Sequence, residues 1–214
     1  MSKITDIYKQ YKIMPILADH MLRVGAVASI ICDSLDTSID KEKIVKVCLL
    51  HDMGNIIKFE LTYFPEINEP EGLEYWQTVQ KEFIEKYGED EHEATMEIMR
   101  ELGMSEELIY LADQNRFSLL CEHAIGDDML VKIMHYADMR VGPFGVLSYD
   151  GRMEEAKKRY ANRTAFQEEQ REKLISCGKE IENQIFAHCS IKPEDINDKS
   201  VAPVIGKLRD FVIQ

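Results

Sequence analysis

Apolar positions recur at helical spacing along almost the whole chain, and that spacing predicts an all-α fold. Pro15 opens a helix at its first turn, with Ile16, Val24, Val27 and Ile31 on one face. A second helix runs from Asp40 to about Asp52, with Ile44, Val47, Cys48 and His51 as its inner stripe. Met53-Gly54-Asn55 ends it, because Gly and Asn tolerate left-handed backbone. Residues 59–72, with Pro65, Pro70 and Gly72 among aromatics and acids, read as a loop long enough to be a lid. Helical spacing returns over Leu73–Tyr87. Asp90 with Glu93 has the pattern of a capping box, opening a helix that runs to Leu102 and stops at Gly103. Ser105 caps the next helix, which has Glu106 and Glu107 in its first turn.

Shorter helical runs cover about 116–124 and 127–141, and Gly142-Pro143-Phe144-Gly145 then breaks the pattern. Beyond residue 150 the charges alternate. Thr164 and Gln167 form another capping-box pattern, ahead of a long helix striped by Leu174, Cys177, Ile181 and Ile185. Pro193 and Ser200 start two last short helices, and no run alternates as a strand does. The expected organisation is a compact helical bundle over residues 1–150, with a C-terminal helical extension, 151–214, packed on it.

Composition narrows the function classes. The 214 residues hold 26 Lys+Arg against 39 Asp+Glu, a formal charge of −13, which argues against a nucleic-acid polymer as partner. An anionic ligand must then be held by a local cluster of cations or by metal. Cys32, Cys48, Cys121, Cys177 and Cys189 include no close-spaced pair, and buried free thiols in a reducing compartment are the expectation. The N-terminus has no apolar signal region, and the apolar stretch from Val24 to Cys32 is too short to span a bilayer. A cytoplasmic protein without a membrane partner is expected.

The chemistry lies in polar residues on apolar stripes. His20 falls within roughly 40° of Ile16, Val24, Val27 and Ile31 on a helical wheel, so it points inward. His51 shares a face with Ile44 and Val47, Asp52 with Val45 and Leu49, His92 with Met96 and Met99. His123 aligns with Leu119 and Leu120, and Asp138 with Val131 and Met134. One such residue is ordinarily a hydrogen-bonded core group. Four imidazoles and two carboxylates are costly to bury together unless a metal satisfies them. Imidazole nitrogen and carboxylate oxygen without thiolate suit Mn, Fe, Co, Ni or Zn.

His20, the pair in Leu-Leu-His51-Asp52-Met-Gly-Asn, and Asp138 in His-Tyr-Ala-Asp138-Met-Arg resemble the H…HD…D pattern of the HD-domain superfamily of metal-dependent phosphohydrolases. The resemblance covers about residues 15–141, and His92 and His123 fall where two-metal members place two further histidines. It implies one or two divalent transition-metal ions. Asp52 would bridge them and orient the nucleophile, with His20, His51 and Asp138 at one ion and His92 and His123 at the other. Many relatives carry Lys where this chain has Asn55; Lys58, one turn on, is the nearest substitute.

The implied reaction is hydrolysis of a phosphate ester or anhydride of a nucleotide or similar small metabolite. A diiron oxygenase cleaving a C–C or C–P bond with dioxygen would use the same six residues, and a non-catalytic nucleotide sensor is the third reading. Arg23, Lys58, Arg116, Arg140 and Arg152 are candidates to hold substrate oxygens, since phosphate needs cations nearby. Arg140 and Arg152 bracket a Gly-rich loop that must pass near Asp138. His135, one turn before Asp138, is a candidate partner behind the ligands, and His188 a helix-end residue. Tyr63, Phe64 and Trp76 would line a base- or sugar-binding wall or simply pack. The oligomeric state is open, with a homodimer one possibility.

Overall fold

The helix from Pro15 to Ser34 packs against three other helices at the centre of this computed structural model, which describes residues 2–62, 65–159 and 167–213. In chain order the α-helices are α1 (Ile4–Gln10), α2 (Pro15–Ser34), α3 (Lys41–Cys48), α4 (Leu73–Tyr87), α5 (Glu91–Glu101) and α6 (Glu106–Asp113). They continue with α7 (Leu120–Ile125), α8 (Met129–Asp138), α9 (Tyr149–Arg159), α10 (Glu168–Phe186) and α11 (Asp198–Leu208). The fold is all-α, as the apolar spacing predicts.

Pro15 occupies the first turn of α2, where a missing N–H costs nothing. Met21, Leu22, Val24, Ala26, Val27, Ala28 and Ile31 are all 0 % exposed, so α2 is buried over more than one stripe, while Asp19 and Asp33 keep one side open to solvent. Its 20 residues include an 18-residue window with a mean hydropathy of 1.4, long and apolar enough to cross a membrane by length and composition. The window reaches beyond the Val24–Cys32 stretch because Ile16, Leu17, Met21 and Leu22 offset Asp19, His20 and Arg23 in the average. Here 61 % of the apolar window is buried inside the chain, against α3, α8 and α11, as in the core helix of a globular domain.

Several termini follow local rules. Asp40 accepts from Lys43 N–H at 3.0 Å to start α3, and Asp90 accepts from the N–H groups of His92 and Glu93 at 2.9 Å to start α5. Ser105 does the same for α6, and α4 spans the expected residues. At the start of α11 the cap is Asn197, and Ser200 sits three residues inside, completing the capping box. Thr164 lies outside the described residues.

The helices α1 and α9 are not among the expected ones, and two further features lie outside the expectations. Ser2–Lys3 pairs antiparallel with Val212–Ile213, a ribbon too short to show alternation. Cys121 and Cys177 form a disulfide across 56 residues, which corrects the expectation of five free thiols; Cys32, Cys48 and Cys189 are free. The pair meets because α10 packs along α7 and α8, a juxtaposition that spacing in the chain does not reveal. Gly178 permits close approach on that helix, since a Cβ there would overlap the Tyr149 ring.

Candidate metal centre

Three elements bring four polar side chains to one point. His20 comes from the first half of α2 and Asp138 is the last residue of α8. His51 and Asp52 come from the segment after α3. That helix ends at Cys48, short of the expected Asp52, and continues as tight turns: Leu50 N–H bonds the Val47 carbonyl at 2.9 Å and Met53 N–H that of Leu50 at 3.2 Å. The turns set both members of the doublet toward the same space.

His20 Nε2 lies 3.0 Å from Asp138 Oδ1 and 3.5 Å from Asp52 Oδ2. His51 Nε2 lies 3.5 Å from Asp138 Oδ1 and 3.6 Å from Asp52 Oδ1. Among the described residues, His20, His51 and Asp52 each present a ligand atom within 4.8 Å of the others. Burial alone would raise the Asp138 carboxyl, but the two imidazoles outweigh it and hold it well below the usual carboxylate range. Burial likewise pushes the His51 imidazole down, yet Asp52 and Asp138 reverse this and raise it to about 9.

The group fits a divalent ion. His51 Nδ1 lies 2.8 Å from the Cys48 carbonyl, which can only accept, so Nδ1 carries a proton. Nε2 is then the nitrogen that faces the carboxylates, and it is buried without a hydrogen-bond partner. An orphaned imidazole nitrogen between two acids is satisfied either by a proton or by a cation. Because the two compete, Co²⁺ or Mn²⁺ uptake at pH 7 is expected to release about one proton per ion. Affinity should climb with pH through about 9 and level off above it, where His51 is neutral. Calorimetry in buffers of different ionisation enthalpy reads the release, and binding without it removes His51 from the ligand set.

His92 and His123 stand apart from that group. His92 sits in the first turn of α5, its Nε2 3.8 Å from Glu91 Oε1, and Glu91 pairs with Lys58 at 3.2 Å. Burial, Lys58 and Arg116 lower the His92 imidazole, while Glu91 and Asp52 pull the other way. His123 Nε2 bonds the Gln114 carbonyl at 3.0 Å, and its ring centroid lies 5.4 Å from that of His135. His135 is 2 % exposed, burial lowers its imidazole to about 3, and its Nδ1 is unpartnered. His188 is exposed just after α10, 3.5 Å from Asp36.

Gly54 has φ −90°, so left-handed backbone is not its role. A Cβ there would run into the Glu91 carbonyl and come within 2.8 Å of Ala94 Cβ, so glycine lets α5 seat against the His51–Asp52 turn. Asn115, which nothing in the sequence marked, donates from Nδ2 to Asp138 Oδ2 at 3.1 Å. A lone Asn in a polar link carries no periodic signal.

The candidate substrate cations separate into two groups. Arg140 is 2 % exposed and spends its guanidinium on the Tyr136 hydroxyl and the carbonyls of Leu147, Pro193 and Ile196. Arg152 bonds the Val141 carbonyl at 2.9 Å and Glu155 at 2.9 Å. Both expectations are corrected: these arginines hold the loop after α8 and are spent on structure. Arg116 pairs with Asp113 but stays a third exposed and close enough to act on His92. Asn55 is 6 % exposed and opens a 3-10 turn, Asn55–Lys58, that carries Lys58 to Glu91. Arg23 makes no ion pair among the described residues and lines a cleft of about 250 Å³ with Asp19, Glu66, Ile67 and Phe144. Trp76 is 3 % exposed and bonds the Asn68 carbonyl, so it packs; Tyr63 and Phe64 lie outside the described residues.

Comparison with known families gives one match: the family model described as HD domain aligns with residues 17–138, a span that begins just before His20 and ends on Asp138. No curated protein and no solved structure matches.

Proposed function

The chain belongs to the HD-domain family, and on that footing we propose that it is a metal-dependent phosphohydrolase acting on a phosphate ester or anhydride of a nucleotide or similar small metabolite. One observation carries the reading. Two imidazoles and two carboxylates from three elements meet at 3.0–3.6 Å, with a buried, unpartnered nitrogen at their centre. A divalent transition ion bound there supplies a Lewis acid for a phosphoryl oxygen and brings the pKa of a coordinated water toward neutrality.

His20, His51 and Asp138 would hold such an ion. Asp52 turns Oδ1 toward His51 and Oδ2 toward His20, so both oxygens are available to bridge and to orient a nucleophile. His92 and His123, which lie outside this group, would hold a second ion. Lys58, Arg116 and Arg23 supply positive charge for the substrate oxygens. With a chain charge of −13, cation and ion together make a local exception through which a small anion reaches the site.

The test is metal analysis of protein purified without chelator, followed by a nucleotide panel assayed for phosphate release under strict anaerobiosis with Mn²⁺, Co²⁺ or Fe²⁺. Release without oxygen is the expected result. Activity that needs both iron and dioxygen would replace this reading with the oxygenase, and tight nucleotide binding without turnover would replace it with a sensor. His92→Ala is expected to lower bound metal from about two ions per chain to one, as a dinuclear site requires.

A further inference from the structure

Asp138 divides its two oxygens. Oδ1 faces His20 Nε2 at 3.0 Å and His51 Nε2 at 3.5 Å, while Oδ2 accepts from Asn115 Nδ2 at 3.1 Å. The carboxylate stands at the C-terminus of α8, where the helix dipole repels negative charge. Local backbone donors are already spent: the N–H groups of Met139, Arg140 and Val141 bond the carbonyls of His135, Ala137 and Asp138. The groups holding this carboxylate therefore come from side chains, the His20 imidazole on one side and Asn115 on the other.

Asn115 belongs to the link between α6 and the 3-10 turn Phe117–Leu119. Its own N–H bonds the Ala112 carbonyl at 3.0 Å, and its neighbours are fixed as well. Gln114 accepts from His123, and the Arg116 carbonyl accepts from Leu119 N–H at 2.8 Å. The amide orientation follows from chemistry, because a carboxylate accepts and does not donate, so Nδ2 must face Asp138. Asn115 Oδ1 is then left buried without a partner. A side chain present only to fill space has no reason to desolvate an acceptor. This one leaves its acceptor unsatisfied while its donor stays on Asp138.

We infer that Asn115 is a positioning residue for the metal centre. Its amide anchors Oδ2 of Asp138 so that Oδ1 is presented, at a fixed angle, to the ion held with His20 and His51. The carboxylate torsion is intrinsically broad, so without the anchor Asp138 is free to turn and Oδ1 loses its aim. The inference rests on the metal-centre reading above and concerns this chain's own geometry toward the ion.

The experiment titrates Co²⁺ into the full chain by calorimetry and records the visible absorption of the bound ion. Asn115→Leu keeps the volume and removes the donor; Asn115→Ala removes both. Each is expected to bind Co²⁺ roughly 10–100-fold more weakly, the usual loss for an outer partner of a ligand, with shifted absorption bands. Asn115→Ser retains a donor and is expected to lie between the native and alanine chains, which keeps the test intact should the leucine variant fail to fold. Native affinity and spectrum in the leucine variant, with loss only in alanine, would mean a packing role and overturn the inference. Native behaviour in both overturns it equally. A native chain that binds no Co²⁺ instead refutes the metal-centre reading itself.

Discussion

Asp52→Ala and His51→Ala chains are expected to purify without metal under conditions in which the native chain retains it. Losing an outer partner of a metal ligand costs ~10–100-fold in affinity, and losing a donor from so small a set must exceed that. Asp52 aims one oxygen at each imidazole, so its removal takes away both a ligand and half of the negative charge in the cluster. His51 removal deletes the nitrogen that has no other partner. Thermal unfolding gives a second readout. An ion at about 100 times its Kd stabilises the native chain by ~2.7 kcal/mol, a rise of roughly 5–10 °C for a domain of this size. The variants should show no rise, and stoichiometric metal retained in both would end the assignment.

The second large effect is on stability. Arg140→Met is expected to destabilise the chain by about 3–5 kcal/mol, because it strands buried groups that depend on the guanidinium. Tyr136 Oη takes 2.7 Å from Arg140 and donates at 2.6 Å to Glu182, which pairs with Lys179 at 2.6 Å. The carbonyls of Pro193 and Ile196, at 3.2 and 2.9 Å, tie the loop after α8 to the start of α11. The midpoint of thermal unfolding should fall by ~6–20 °C, while metal bound per folded chain stays native. A raised KM with unchanged stability would return Arg140 to the substrate site.

The contrast between these two predictions tracks what was legible in the chain. His20, His51, Asp52 and Asp138 were visible because helical periodicity is local: a polar residue on an apolar face is inward whatever it meets there. The helix that carries the doublet's pattern ends at Cys48, four residues before Asp52, yet both side chains still reach the cluster, because hydrogen-bonded turns continue the chain after Cys48. Arg140 was misassigned for a reason of the same kind. It sits two residues from Asp138, but two of its partners are carbonyls more than 50 residues away. Proximity in sequence to a ligand says where a backbone is; it does not say where five N–H donors find acceptors. Gly54 reads from the sequence as a left-handed helix end, whereas its role is close approach of α5, which leaves no trace in the residues around the glycine.

By itself the sequence determined the all-α class, most helix starts, and the inward placement of two histidines and two aspartates, all of which follow from interactions within a few residues. Only the tertiary structure decided the rest: that the four groups meet, that Cys121 reaches Cys177, that Asn115 backs Asp138, and that α2 is a core helix though apolar enough to cross a bilayer. Those facts are contacts between segments distant in the chain, set by packing, and no local pattern encodes the partner that a side chain will find.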